Sequence, residues 1–283
     1  MKSSLEALRL RYETDLALAL DPIAVPLRFP DALDRELAAF VAAHLAYGKV
    51  APMLRAIERA LEPLGGRPAE FLRKRDEQVL RDVLEEALQG WLWRFHTSQD
   101  LVHWLLAWKR LDAESGAGLE AHLLPLPGES ADAALSRLVQ RLRAELPQTY
   151  GLRFNLPDPL EGASCKRWRM FLRWMVRDSW PDFGQWTRYP KDQLVIPLDT
   201  HVARIARYIG LTQRTALDGR MAAEITAALK KKDRQDPLKY DFAISHLGIL
   251  GDCPGVRVLP GCRPCPLVGI CKAGKLRVEK SKR

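Results

Sequence analysis

Along nearly the whole chain, apolar residues recur every three or four positions, and the period-two alternation of half-buried strands is almost missing. A chain patterned this way buries its apolar surface only as packed helices, so the sequence predicts an all-α protein. Residues 4–20 read as a first helix, and residues 33–48, with Leu37, Phe40, Val41 and His44 at helical spacing, as a second. Further helices are expected at 50–64, closed by Gly65-Gly66, and at 68–73, with Pro68 in the first turn. Others follow at 78–88, 98–111, 130–145 and 164–179. The run Gln193-Leu194-Val195-Ile196-Pro197 is apolar but ends in proline, and it reads as a buried loop. Linkers are expected at 123–130 and 147–162, where proline and glycine collect.

A chain of 283 residues can build one large core or two medium ones. No apolar run approaches a membrane span, and the first residues lack a signal peptide's apolar core, so a monomeric cytoplasmic protein is expected. The formal charge of +9 favours polyanionic partners, because each neutralised phosphate releases counterions. A membrane surface fits less well, since no segment pairs a basic face with a wholly apolar one.

Four of the five cysteines stand near the C-terminus: Cys253, Cys262, Cys265 and Cys271, separated by eight, two and five residues. In a reducing compartment such clustered thiols read as metal ligands rather than disulfides, and the spacing admits an iron–sulfur cluster or zinc. Residues 164–179 set Lys166, Arg169, Arg173 and Arg177 in one stripe, with Trp168, Phe171, Leu172 and Met175 opposite. Like charges at these spacings repel. Either a phosphate backbone or carboxylates elsewhere in the fold must lie against the stripe. Asp199 opens another helix, marked by Val202, Ile205, Ala206 and Ile209, where a carboxylate caps backbone N–H groups and meets the positive end of the macrodipole. Alone, Asp199 and His201 read as structural. The last residues, Lys272, Lys275, Arg277, Lys280, Lys282 and Arg283, form a basic tail able to touch phosphates.

Together these segments resemble a known family. Leu198-Asp199-Thr200-His201-Val202-Ala203-Arg204 resembles the aspartate-bearing segment of the endonuclease III branch of the helix–hairpin–helix DNA glycosylase superfamily. The four-cysteine spacing resembles that branch's cluster loop, and the stretch from Pro237 to Gly248 resembles the helix leading into it. An uncharacterised bacterial family combining these features is closer still. Its hallmarks are similar to Ala46-Tyr47-Gly48-Lys49-Val50, Cys165-Lys166-Arg167, Phe171-Leu172-Arg173-Trp174-Met175-Val176-Arg177 and Ile196-Pro197-Leu198-Asp199-Thr200-His201. The likeness spans residues 160–271 and is weaker before residue 150. One departure stands out: the superfamily's Gly-x-Gly hairpin is here Leu160-Glu161-Gly162-Ala163-Ser164-Cys165-Lys166, with a single glycine. The long separation of Lys166 from Asp199 is similar to that of archaeal oxoguanine glycosylases, a branch with an altered hairpin.

The resemblance implies two helical domains: residues 35–190, barrel-like with the divergent hairpin, and residues 1–34 plus 191–283, carrying the cluster loop 253–271. It implies duplex DNA as partner, with a flipped damaged base held between them. Lys166 would attack the sugar and form a Schiff base, giving abasic-site lyase activity, with Asp199 stabilising the sugar cation. Otherwise Lys166 contacts phosphate and Asp199 activates water. Tyr47 is implied as a residue wedged into the DNA stack, or else packs in the core. Arg167, Arg169, Arg173, Arg177, His201 and Arg204 are implied as DNA contacts. The four cysteines would hold a 4Fe-4S cluster, with zinc as the alternative, and their loop would present Arg257, Arg263 and Lys272 to phosphates. The implied activity is excision of a damaged base, an oxidised purine before others. The competing expectation is a non-catalytic iron–sulfur nucleic-acid-binding protein on the same scaffold. Trp91, Trp93, Phe95 and Trp104 read as core, and Trp180, Phe183 and Trp186 as candidates for lining a base pocket.

Overall fold

Local side chains set most of the helix starts. Asp31 accepts from Leu33 N and Asp34 N, Ser130 from Ala133 N, Thr149 from Leu152 N, and Asp218 from Met221 N. Thr97 and Asp100 form a reciprocal capping box. Each such cap typically contributes about 1 kcal/mol. The computed structural model describes residues 1–253 and 262–273; Arg257 and the tail residues Lys275, Arg277, Lys280, Lys282 and Arg283 lie outside the described residues.

The chain is mostly helical. It runs through α1 (Lys2–Tyr12), α2 (Asp15–Leu18), α3 (Ala32–Leu45), α4 (Val50–Leu61), α5 (Pro68–Arg73), α6 (Glu77–Ala87) and α7 (Ser98–Ser115). It continues through α8 (Glu120–Leu123), α9 (Ala131–Glu145), α10 (Tyr150–Asn155), α11 (Lys166–Val176), α12 (Thr200–Tyr208), α13 (Gly219–Lys230) and α14 (Asp241–Ile249). Between α6 and α7, Leu92–Trp93 (β1) pairs antiparallel with His96–Thr97 (β2) in a two-residue ladder. Among the described residues no helix is long and apolar enough to cross a membrane.

The alanine-rich α3 runs through the centre, buried from Glu36 to Leu45. It packs on α4, α5 and α11, while α7 packs on α5 and α6. At the other end α1 and α12 both lie against α14, so the first and last helices of the described chain meet. One continuous apolar core joins these groups.

Several elements depart from the pattern read along the sequence. The helix expected over 4–20 stops at Tyr12, because the Thr14 hydroxyl accepts from Ala17 N and caps a new turn. The linker expected at 147–162 contains α10, which buries Gly151, Leu152 and Asn155. Residues 194–199 form a loop, as expected, with Leu194, Ile196 and Leu198 buried. Trp91, Trp93 and Trp104 are in the core, but Phe95 sits half-buried at the tip of the β1–β2 hairpin.

Candidate functional site

A pocket of about 510 Å³ opens between the α3–α4 connection, the start of α11, the start of α12 and one face of α14. Lys166 and Asp199 both line it, and Lys166 Nζ lies 3.3 Å from Asp199 Oδ2. Lys166 is the first residue of α11. Ahead of it Cys165 takes a left-handed conformation (φ 49°) and its thiol donates to Pro157 O at 3.2 Å. The preceding turn is tied by buried Asp158, which accepts from the Ser136 hydroxyl, Gln140 Nε2 and Leu160 N. Asp199 is brought in by the buried 194–198 loop, anchored where Ile196 N donates to Thr226 Oγ1. Its Oδ1 accepts from Val202 N at 2.8 Å and caps α12. The lysine and aspartate side chains are 32% and 15% exposed, so the pair is open to a ligand.

The arginines of the cationic stripe meet carboxylates, not solvent. Arg169 pairs with Asp132 at 2.5 Å, Arg173 with Asp182 at 3.1 Å and with Asp241, and Arg177 with Asp182 and Asp236 at 2.9 and 2.8 Å. All three arginines are buried. The expectation that Arg169, Arg173 and Arg177 contact DNA is therefore corrected: their guanidiniums are buried and committed to carboxylates of the fold. Arg173 and Asp241 form part of the pocket wall. Burial pushes the Asp241 carboxyl up to about 6 against the pull of Arg173, and its Oδ1 has no hydrogen-bond partner among the described residues. Behind it His246 Nε2 lies 3.6 Å from Asp21, another pocket residue.

The remaining expected contacts divide. Tyr47 lines the pocket, with its hydroxyl 3.0 Å from Trp93 O and 2.5 Å from His96 Nδ1. So anchored, it is a wall residue and not a side chain free to swing into a duplex. Arg167 lies over the Phe154 ring at 3.7 Å and donates to Phe154 O; burial lowers its pKa to about 10. His201 lines the pocket and packs so closely on α14 that a Cβ at Gly248 would fall 2.5 Å from its Nδ1. Burial holds the His201 imidazole below its usual range, with Asp199 opposing. Arg204 donates to Cys253 O at 2.7 Å, which commits it to the loop rather than to DNA. Trp180, Phe183 and Trp186 do not line the pocket; Trp186 is buried and donates to Glu36. The sequence reading missed Asp21, Lys49, Asp241 and Ser245. Asp241 carried a signal, as the lone charge opening the apolar run Phe242-Ala243-Ile244.

The cysteine region is held by the first helix. Arg11 donates to Pro264 O at 2.9 Å, and the Tyr12 hydroxyl donates to Asp252 at 2.5 Å. No disulfide joins any of the five cysteines. Burial pushes the Cys265 thiol up, and Cys253, Cys271 and Cys262 lie near enough to add to that electrostatically. Four thiols are the donor chemistry of an iron–sulfur or zinc centre. Among the described residues, however, no three His, Cys, Asp or Glu side chains gather closely enough to hold a metal ion.

Compared with known proteins, residues 21–250 match the model of a family described as "Protein of unknown function (DUF2400)". No curated protein and no solved structure matches the chain.

Proposed function

The chain belongs to the DUF2400 family, and we propose that it is a DNA base-excision glycosylase with abasic-site lyase activity, its chemistry carried by Lys166 and Asp199. The observation that carries this reading is the 3.3 Å approach of the two side chains inside an open pocket. An extruded nucleotide would enter there. As the glycosidic bond breaks, the Asp199 carboxylate stabilises the positive charge growing on the sugar. Asp199 also takes the proton that Lys166 must shed before its nitrogen can attack the anomeric carbon, a role their 3.3 Å separation supports. The base departs with the proton passed on by Asp199, the C1′–O4′ bond opens so that a Schiff base links Lys166 to C1′, and transfer of the C2′ proton to the freed Asp199 carboxylate expels the 3′ phosphate. Sequence resemblance favours an oxidised purine as the base removed. On the same reading Cys253, Cys262, Cys265 and Cys271 would hold a 4Fe-4S cluster, or zinc, as a structural centre.

Borohydride trapping on duplexes carrying an abasic site tests the assignment. The wild-type protein is expected to give a covalent adduct, and Lys166→Gln none. If wild-type protein traps nothing and excises no base from lesion-bearing duplexes, the enzyme reading fails and a binding role replaces it. An adduct that survives Lys166→Gln removes the lysine from its role.

A further inference from the structure

An aromatic path leads from the pocket wall to the surface. Tyr47 stacks on Phe95 with ring centroids 5.2 Å apart and planes within 11°. Phe95 meets Tyr150 edge-on at 4.8 Å and Phe154 at 4.7 Å, and Tyr150 is 70% exposed. Arg94 and Phe95 are the two tip residues of the β1–β2 hairpin. Arg94 holds a positive φ of 57°, which a side chain of this size adopts only when its surroundings impose it. Its guanidinium lies 5.9 Å from the Tyr47 ring centre, and a Cβ at Gly48, on the pocket wall, would come within 3.3 Å of it. The hairpin tip is thus fixed at the pocket rim. Arg94 and Arg153 are exposed, and neither is ion-paired with a described residue.

An exposed ring, Tyr150, set against the half-buried Phe95 and among uncompensated guanidiniums suits one kind of partner. A ring face accepts any base by stacking, while the cations hold the phosphates between bases. We propose that Phe95, Tyr150 and the hairpin-tip Arg94 form a stacking platform for unpaired nucleotides beside the pocket. The inference rests on the nucleic-acid reading of the pocket, yet it can be tested apart from catalysis.

Fluorescence anisotropy of the full-length protein with a short oligothymidylate provides that test. Tyr150→Ala removes a mostly exposed ring, and Phe95→Leu keeps apolar bulk in the hairpin. Each is expected to weaken binding about tenfold, the loss of roughly one base stack. Tyr150→Phe retains binding, and so does Leu126→Ala, an exposed apolar residue on the 124–130 loop. Arg94→Ala makes binding less sensitive to salt. Wild-type affinity in both ring variants overturns the platform, as does failure of the wild-type protein to bind the strand. If the wild-type protein gives no borohydride adduct and excises no base while ring-dependent binding is intact, the glycosylase reading is overturned and the platform stands.

Discussion

Asp199 gives its two oxygens separate tasks. Oδ1 caps α12 through Val202 N, and Oδ2 faces Lys166 Nζ. The tasks can be parted by substitution, because asparagine caps a helix about as well as aspartate but carries no charge. Asp199→Asn is expected to unfold at the wild-type urea midpoint yet form no borohydride adduct. Asp199→Ala should lose the adduct and also about 1 kcal/mol of stability. An asparagine variant that still traps abasic DNA would return Asp199 to a capping role alone. The cap was legible in the sequence because its signals, an aspartate followed by apolar residues at helical spacing, lie within a few positions of one another.

At the level of the element, α11 shows where such local reading stops. Its sequence displays a cationic stripe and an apolar face, and both are real. What the stripe meets could not be read, because Asp132, Asp182, Asp236 and Asp241 come from four other segments. Its three arginines therefore hold the interior together, while Lys166 at the head of the stripe faces the pocket. Removing Arg173 would leave Asp182 and Asp241 without one of their cations in a buried site, at an expected cost of about 3–5 kcal/mol. Urea denaturation of Arg173→Met measures this; a loss below about 1 kcal/mol together with weakened DNA binding would restore the DNA-facing role. Two other elements escaped for similar reasons. The β1–β2 strands are two residues long, too short to show a period of two. The start of α10 depends on the Thr149 hydroxyl, and its burial on contacts with α7, inside a stretch whose prolines suggested a linker.

Across the whole molecule, Glu36 links segments far apart in the chain. From the centre of α3 its Oε1 accepts from Trp108 Nε1 of α7 and from Leu119 N, and its Oε2 accepts from Trp186 Nε1, in the segment between Lys166 and Asp199. Nothing near Glu36 in sequence announces this, since its partners lie 72, 83 and 150 residues away. Burial pushes its carboxyl up to about 7, from an ordinary 4.5, even though the three N–H groups pull the other way. Between those values the folded protein keeps a proton that the unfolded chain has released. Glu36's contribution to stability is therefore complete below 4.5 and is lost as pH rises through about 7. Glu36→Gln has no such titration, while buried His44 and His96, lowered to about 3 and about 4, titrate in both proteins and cancel in the comparison. The wild-type-minus-variant stability, from urea denaturation across that window, is expected to fall by roughly 1.4 kcal/mol per pH unit. A difference that stays constant with pH would mean that Glu36 is ionised in the folded protein, held as a carboxylate by its three donors.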